Sequence, residues 1–201
     1  AKAVTQTGGK KWFFLTADYA FGHALEKDAS AVVKANGGEV AGSVRHPFPG
    51  TDFSSFLLKA QSSGAQVIGL ANAGGDTINS IKQAAEFGVT PKQALAGLLM
   101  FITDVHSLGL KTANGLTFTE SFYWDLNDAT RAFSKRFAAL TSKNAMPSMT
   151  QAGNYAMILH YLKAMEALGG NPNDGAKVVA KMKELPTDDP LFGKGPLRAD
   201  G

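Results

Sequence analysis

The amino-acid sequence predicts an α/β fold, a parallel sheet with helices on both faces, followed by a stretch that is helical alone. Three observations predict it. Short apolar runs begin near Trp12, Glu39, Gln66 and Ala94, and their spacing is about that of one strand-plus-helix unit. Each run is too short for a helix, is bounded by Gly, Pro or a polar turn, and is followed by apolar residues at helical spacing. After about Phe122 the strand-like runs stop and only helical periodicity remains. Strand alternating with helix gives a parallel sheet wrapped on both sides, because right-handed crossovers place the helices there.

Taken in order, AKAVTQTGG reads as the last turns of a helix ending at Gly8-Gly9, and WFFLTA (Trp12 to Ala17) is the first strand. Leu25, Ala29, Val32 and Val33 share a face of the first full helix, which Gly37-Gly38 ends. EVAGSVRHPF from Glu39 is the second strand. The helix after it carries Phe53, Phe56, Leu57 and Ala60 inward, with Thr51 or Asp52 as its cap and Gly64 as its stop. QVIGLANA from Gln66 is the third strand. It opens into Ala-Gly-Gly and restarts as a helix capped by Asp76 or Thr77, with Ile78, Ile81 and Ala85 on its apolar face and Gly88 at its end. ALAGLLMF from Ala94 and LTFTESF from Leu116 read as strands four and five. Three helices follow: DLNDATRAFSKRFAAL, with Ala129, Phe133, Phe137 and Leu140 on one stripe, then MTQAGNYAMILHYLKAMEAL, then DGAKVVAKMKEL. The change of pattern marks either a helical cover or the passage into a second lobe.

Composition narrows the function classes. Hydrophobic residues make up 44% and charged residues 18% of the 201, and no apolar run approaches the roughly 20 residues that span a bilayer. Twenty basic residues against 17 acidic give a net +3, with the lysines scattered rather than clustered, so no nucleic-acid partner is expected. Absence of cysteine removes disulfides, thiol catalysis and thiolate metal sites, and it fits an oxidising compartment. The first residues show neither an initiator Met nor a secretory leader, and FGKGPLRADG stops in an apparent turn, so the sequence reads as an internal piece of a longer chain.

Catalytic signatures are missing: there is no G-x-S-x-G, H-E-x-x-H, phosphate loop or G-x-G-x-x-G after the first strand. GNPNDGAK (Gly170 to Lys177) lacks a Lys directly after its second Gly and follows a helix. His23, His46, His106 and His160 have no ligand-like spacing, and only Asp104 and His106 lie close in sequence, so neither a metal nor a cofactor is expected. His106 is expected exposed and His160 half-buried. Asp18 and Asp104 both follow strands and offer the one acid–base pairing, although a strand-end Asp is more often a cap or turn former. Arg131, Lys135 and Arg136 read as a solvated helix face.

What remains is the set of strand ends. TADYAFG puts Tyr19 and Phe21 after the first strand, LANAGG puts Ala71, Asn72, Ala73 and Gly74 at the end of the third, and LLMFITD puts Met100 and Phe101 after the fourth. In a parallel sheet all three turns share one edge, outside the carboxyl ends of the strands, where ligands sit against helix N-termini. Aromatic walls, a polar handle at Asn72 and helix N–H groups make a pocket for a small, partly apolar anion. The glycines let a ligand approach the backbone. The competing reading makes Phe21 and Phe101 core residues at helix–sheet junctions.

These stretches carry a resemblance. KKWFFLTADYAFGHALEKDASAVVKANGGEV, DFSSFLLKAQSSGAQVIGLANAGGDTINSIKQAAEFG and LTFTESFYWDLNDATRAFSKRF, in this order and spacing, resemble the solute-binding proteins of ABC importers of the branched-chain amino acid type, the periplasmic binding fold type I. The resemblance implies two α/β lobes that close on a ligand. It implies a periplasmic location, a membrane permease as partner and no enzymatic activity. Residues 1–120 would be the second lobe without its first helix, and 121–201 the hinge crossover and helices of the first lobe, with apolar helix faces left uncovered. It places Phe21 at the family's ligand-contacting aromatic, with Tyr19 nearby, and Ala73 or Gly74 at a second contact. Leu99 stands where amino-acid-binding relatives carry a Glu for the ligand's ammonium. An unpaired ammonium there would be desolvated without compensation, which turns the expectation from α-amino acids toward aromatic or aliphatic carboxylates. Two alternatives stay open: a sensory or regulatory domain of the same fold, and an α/β enzyme using Asp18 and Asp104.

Overall fold

Successive side chains alternate across a strand, so a strand apolar at every position needs cover on both faces. In the computed structural model, which describes residues 1–170 and 173–200, helix α1 (Lys2–Gln6) leads into such a strand, β1 (Lys11–Ala17), buried at every residue after Lys11. Trp12 and Phe14 pack with Ala29, Val33 and Val67 on one face. Phe13 and Leu15 pack with Phe53, Leu57, Ile68 and Leu70 on the other.

The chain continues as α2 (Ala20–Ala35), β2 (Glu39–His46), α3 (Ser54–Ser62), β3 (Val67–Ala71), α4 (Gly75–Glu86), β4 (Ala94–Gly97), α5 (Ile102–Leu108) and α6 (Leu110–Ala113). The sheet runs β2-β1-β3-β4 and every pairing in it is parallel. The chain steps from β1 to β2 on one side and returns to β3 on the other, so the direction of winding reverses between β1 and β3. That is where the carboxyl ends of an open α/β sheet leave a crevice. A side chain at Gly22 would put its Cβ 2.1 Å from the Ala17 carbonyl oxygen, so this glycine is what allows the start of α2 to sit against the end of β1.

The local expectations hold in part. Gly37, Gly64 and Gly88 follow their helices with positive φ. Val32 is exposed, because Ala29 and Val33, four residues apart, already define the buried line of α2. In α4 the inward line runs through Ile81 and Ala84, which leaves Ala85 exposed. The N-cap of α3 is Phe53, with the Asp52 carboxylate accepting the Ser54 N–H at 2.9 Å. Gly74, at φ 58°, is the N-cap of α4, so Asp76 and Thr77 fall inside its first turn. The expected fifth strand is a single bridge between Ala96 and Thr117. Gly97 N–H donates to the Thr117 carbonyl at 2.9 Å, but β4 ends there and offers no further rung. Leu116 and Phe118 still pack against the core.

The contacts divide the chain into two units, Ala1–Thr119 and Glu120–Gly201. The second contains α7 (Asp128–Ala138), α8 (Met149–Ala167), α9 (Gly175–Glu184) and an antiparallel hairpin of β5 (Thr187–Asp189) and β6 (Gly193–Gly195), where the sequence suggested only a turn. Its core is small: Phe122, Phe133, Ala152 and Leu191. Leu140, past the end of α7, is exposed, and α8 buries Ala152, His160 and Ala164 while exposing Met157, Ile158, Tyr161 and Leu162. His160 is buried rather than half-buried, with Nε2 2.8 Å from the Met182 carbonyl. Of GNPNDGAK, residues 171 and 172 lie outside the described residues, and Asp174 caps α9 by accepting the Lys177 N–H at 3.1 Å. Among the described residues no helix is long and apolar enough to cross a membrane.

Candidate ligand-binding site

Strand register decides which turns meet. Ala17 pairs with His46, so two residues further on Tyr19 falls beside Phe48. Their rings stack, with centroids 4.5 Å apart and planes 22° apart, and Phe21 lies 5.7 Å from Tyr19. On the other side of β1, Thr16 pairs with Ala71, which brings Asn72, Ala73 and Gly74 alongside. β4 neighbours β3 and is followed by Leu99 and Phe101. The turns form one row along the carboxyl edge: Phe48, then Tyr19 and Phe21, then Ala73 and Gly74, then Leu99 and Phe101.

Within that row the residues separate by exposure. Tyr19 is exposed and Phe21, Ala73, Gly74, Leu99 and Phe101 are half-buried, all with surface left open. Three expected site residues are buried instead. Ala71 is fully buried as the last residue of β3, and Met100 is fully buried because the chain turns after Gly97 and drops this side chain into the core. Asn72 is 1% exposed, and its amide is spent inside the protein. The Asn72 side-chain nitrogen lies 3.2 Å from His46 Nε2 and donates to Ser80 Oγ at 3.1 Å, while its oxygen accepts from Thr77 Oγ1 at 2.8 Å. The polar handle expected at Asn72 is therefore a structural pin.

The pin belongs to a buried polar knot under the row. His46 Nδ1 donates to the Pro47 carbonyl at 2.9 Å, since a carbonyl only accepts, and Nε2 is left to accept from Asn72. Ser80 Oγ donates to the Asp76 carbonyl at 2.6 Å, and Asp76 Oδ1 accepts the Gly50 N–H at 3.1 Å. Asp76 Oδ2 sits 3.7 Å from His46 Nδ1 and has no hydrogen-bond partner. Its place in the first turn of α4 offsets part of the cost of that burial, because a helix N-terminus favours negative charge. The Phe53 N–H donates to Gln83 Oε1 at 2.7 Å and Gln83 Nε2 donates to the Thr51 carbonyl at 2.9 Å. These bonds clamp residues 50–53, just past Phe48, onto α4. The sequence reading missed Phe48, His46 and Asp76. The one signal was an aromatic between two prolines in HPFP, which reads equally well as the frayed end of a strand.

Charge at the row comes from the backbone. The N-caps of α2 and α4, Tyr19 and Gly74, place no side-chain acceptor on the first-turn N–H groups. Both helices start at the switch point, so their positive ends face the crevice. The carboxylates are engaged otherwise. Asp18 Oδ1 lies 2.7 Å from His23 Nε2 and 3.8 Å from Arg45 Nη1. Asp104 Oδ2 accepts the Phe101 N–H at 2.9 Å, and burial raises its pKa against the opposing effect of that bond. It is a helix-start carboxylate, the role the sequence favoured over catalysis. Among the described residues no three His, Asp or Glu side chains are placed to hold a metal.

Comparison with known proteins places this architecture. A family model described as periplasmic binding protein matches residues 1–201. The chain is similar to a periplasmic binding protein of Burkholderia mallei, with 56% identity and a TM-score of 0.92 over 100% of this chain and 52% of that one. It is similar to a branched-chain amino acid ABC transporter periplasmic ligand-binding protein of Burkholderia xenovorans, with 42% identity and a TM-score of 0.77 over 94% of this chain and 51% of that one. A solute-binding protein of an ABC transporter from R. palustris, solved in complex with 4-hydroxybenzoate, is 25% identical with a TM-score of 0.82 over 96% of this chain and 53% of that one. The chain spans about half the length of the curated relatives it matches, 51% of the first. Matched along its whole length, and with its sheet in the family's arrangement, the chain belongs to the periplasmic binding protein family.

Proposed function

We propose that the protein carrying this chain is the extracytoplasmic substrate-binding component of an ABC importer, which captures a small amino acid or an aromatic or aliphatic carboxylate and hands it to a membrane permease. The observation that carries this reading is the single row of turns on the carboxyl edge of a parallel sheet, with aromatic rings at one end and two uncapped helix starts in the middle. Apolar walls with a few fixed polar groups suit a small ligand that is bound and released unchanged. The similarity to an amino acid transporter's binding protein and to a 4-hydroxybenzoate-binding protein supports the same class of solute. In this reading residues 1–120 form one lobe and residues 121–201 supply hinge and helices to the opposing one. The ligand binds the closed form more tightly than the open form, and that difference in affinity shifts the population toward closure.

Phe21 and Tyr19 supply apolar contact, and Ala73 and Gly74 let the ligand reach the start of α4. The test is native mass spectrometry of the full-length protein as purified, followed by calorimetry with the solute it carries. Phe21→Ala weakens binding by about 1–3 kcal/mol through lost apolar and stacking contact. Unchanged affinity removes Phe21 from the site. Failure to bind any amino acid or organic carboxylate removes the receptor reading itself.

A further inference from the structure

We propose that Phe48 is a selectivity residue of this site: with Tyr19 it forms a fixed platform for a planar ring, so the preferred solute is an aromatic carboxylate. The inference rests on the receptor reading and narrows it. Phe48 is 55% exposed and Tyr19 37%, so the stacked pair leaves apolar surface in water. The pair is not loose. The strand register sets one residue beside the other, and the chain on either side of Phe48 is held by the His46–Pro47 contact and by the bonds of Gly50, Thr51 and Phe53 to Asp76 and Gln83. A rigid, exposed ring stack costs little entropy to engage and favours a third flat ring in offset geometry over an aliphatic chain, which gains only area.

The other end of the ligand follows from the neighbouring strand. Adjacent strands lie about 4.8 Å apart, so a ring on Tyr19 and Phe48 has the uncapped starts of α2 and α4 within one or two strands, and these favour a carboxylate. An ammonium has no equivalent partner on these turns. Asp18 is paired with His23 and Arg45, Asp76 and Asp104 are buried, and Leu99 is apolar.

The experiment is calorimetry of the full-length protein with benzoate and with leucine as probes, on the parent, Phe48→Ala, Phe48→Leu and Phe48→Tyr. The parent is expected to bind benzoate more tightly than leucine. Phe48→Ala and Phe48→Leu should each raise the benzoate Kd by about tenfold, while Phe48→Tyr keeps it. Thermal unfolding of Phe48→Tyr should match the parent, and that of Phe48→Ala and Phe48→Leu should fall by only a few degrees, the share of the stack on Tyr19, and Phe48→Leu keeps the test open should the alanine variant lose its loop. Benzoate binding unaffected by Phe48→Leu overturns the role of the ring. A parent that binds leucine but not benzoate overturns the aromatic preference and leaves the receptor reading standing, whereas a parent that binds neither these nor any organic carboxylate overturns both.

Discussion

The two units of the chain start their helices differently. In the second unit each long helix opens on a side-chain cap: Asn127 accepts the Thr130 N–H at 3.0 Å, Ser148 the Thr150 N–H at 3.2 Å and Asp174 the Lys177 N–H at 3.1 Å. In the first unit α2 and α4 open on Tyr19 and Gly74, which cap nothing. A cap contributes about 1 kcal/mol, so the first unit forgoes it at the two helices that flank the switch point. It holds α4 from the side instead. Thr77 and Ser80 are tied to Asn72, and Asp76 to Gly50. The helix is fixed while its end stays open. Capped starts serve the fold; in the proposed receptor, the open starts braced from below would serve the ligand.

The strongest way to break this comparison is to cut the brace. Asn72→Leu strands two buried groups, His46 Nε2 and Thr77 Oγ1, and takes one of two partners from Ser80 Oγ, in a region closed to water. Unsatisfied buried groups cost about 1–3 kcal/mol apiece, and members of a network share the loss, so urea unfolding of the full-length protein should show a stability lower by about 3 kcal/mol. A loss no greater than that of an ordinary surface change would mean that α4 is held by its apolar face alone.

A reciprocal exchange of caps comes next in size. Ser148→Ala should lower stability by about 1 kcal/mol and leave ligand affinity where it was. Tyr19→Ser adds a capping hydroxyl to α2 at a residue that is already extended, with φ −154° and ψ 173°. The gained cap and the lost stacking on Phe48 are both of order 1 kcal/mol. Stability should therefore stay close to that of the parent while affinity for the bound solute falls. Equal affinity in the parent and Tyr19→Ser would show that the open start of α2 has no ligand to serve.

What the sequence disclosed and what it withheld differ in physical kind. Periodicity and turn chemistry are local, and they located β1, β2, β3, the helices between them and the stops at Gly37, Gly64 and Gly88. They also put Tyr19, Phe21, Ala73 and Phe101 on one edge, because parallel strands share their carboxyl ends. Register between strands is not local. The stacking of Tyr19 on Phe48 depends on Ala17 lying opposite His46, and nothing in either segment announces the pairing. Asn72 looked like a handle for the ligand because its amide has no partner within its own turn. Its partners come from β2, 26 residues away in the chain, and from α4, 5 and 8 residues away. Met100 looked like a wall because LLMF continues an apolar run, and only the end of β4 at Gly97 turns that residue inward. The fifth strand failed for the same reason, since a strand needs a neighbour long enough to pair with.

The smallest effect concerns α5, whose N-cap residue Phe101 donates its N–H to a carboxylate of the first turn. Asp104 accepts the Phe101 N–H, yet burial outweighs that bond and raises its pKa above the ordinary aspartate value. A carboxyl whose folded pKa is raised favours the folded state while it is protonated, and that contribution fades as pH climbs through the raised value. Asp104→Asn keeps a neutral acceptor for the Phe101 N–H and removes the titration. Relative to the parent, the variant should therefore gain stability as pH rises from below about 4 toward neutrality, and the gap should level off once Asp104 is ionised in both the folded and unfolded chain. Thermal unfolding of parent and variant across that range reads the trend directly. A gap that shrinks with rising pH would mean that the bond to Phe101 outweighs burial, and α5 would then join the capped helices of the second unit.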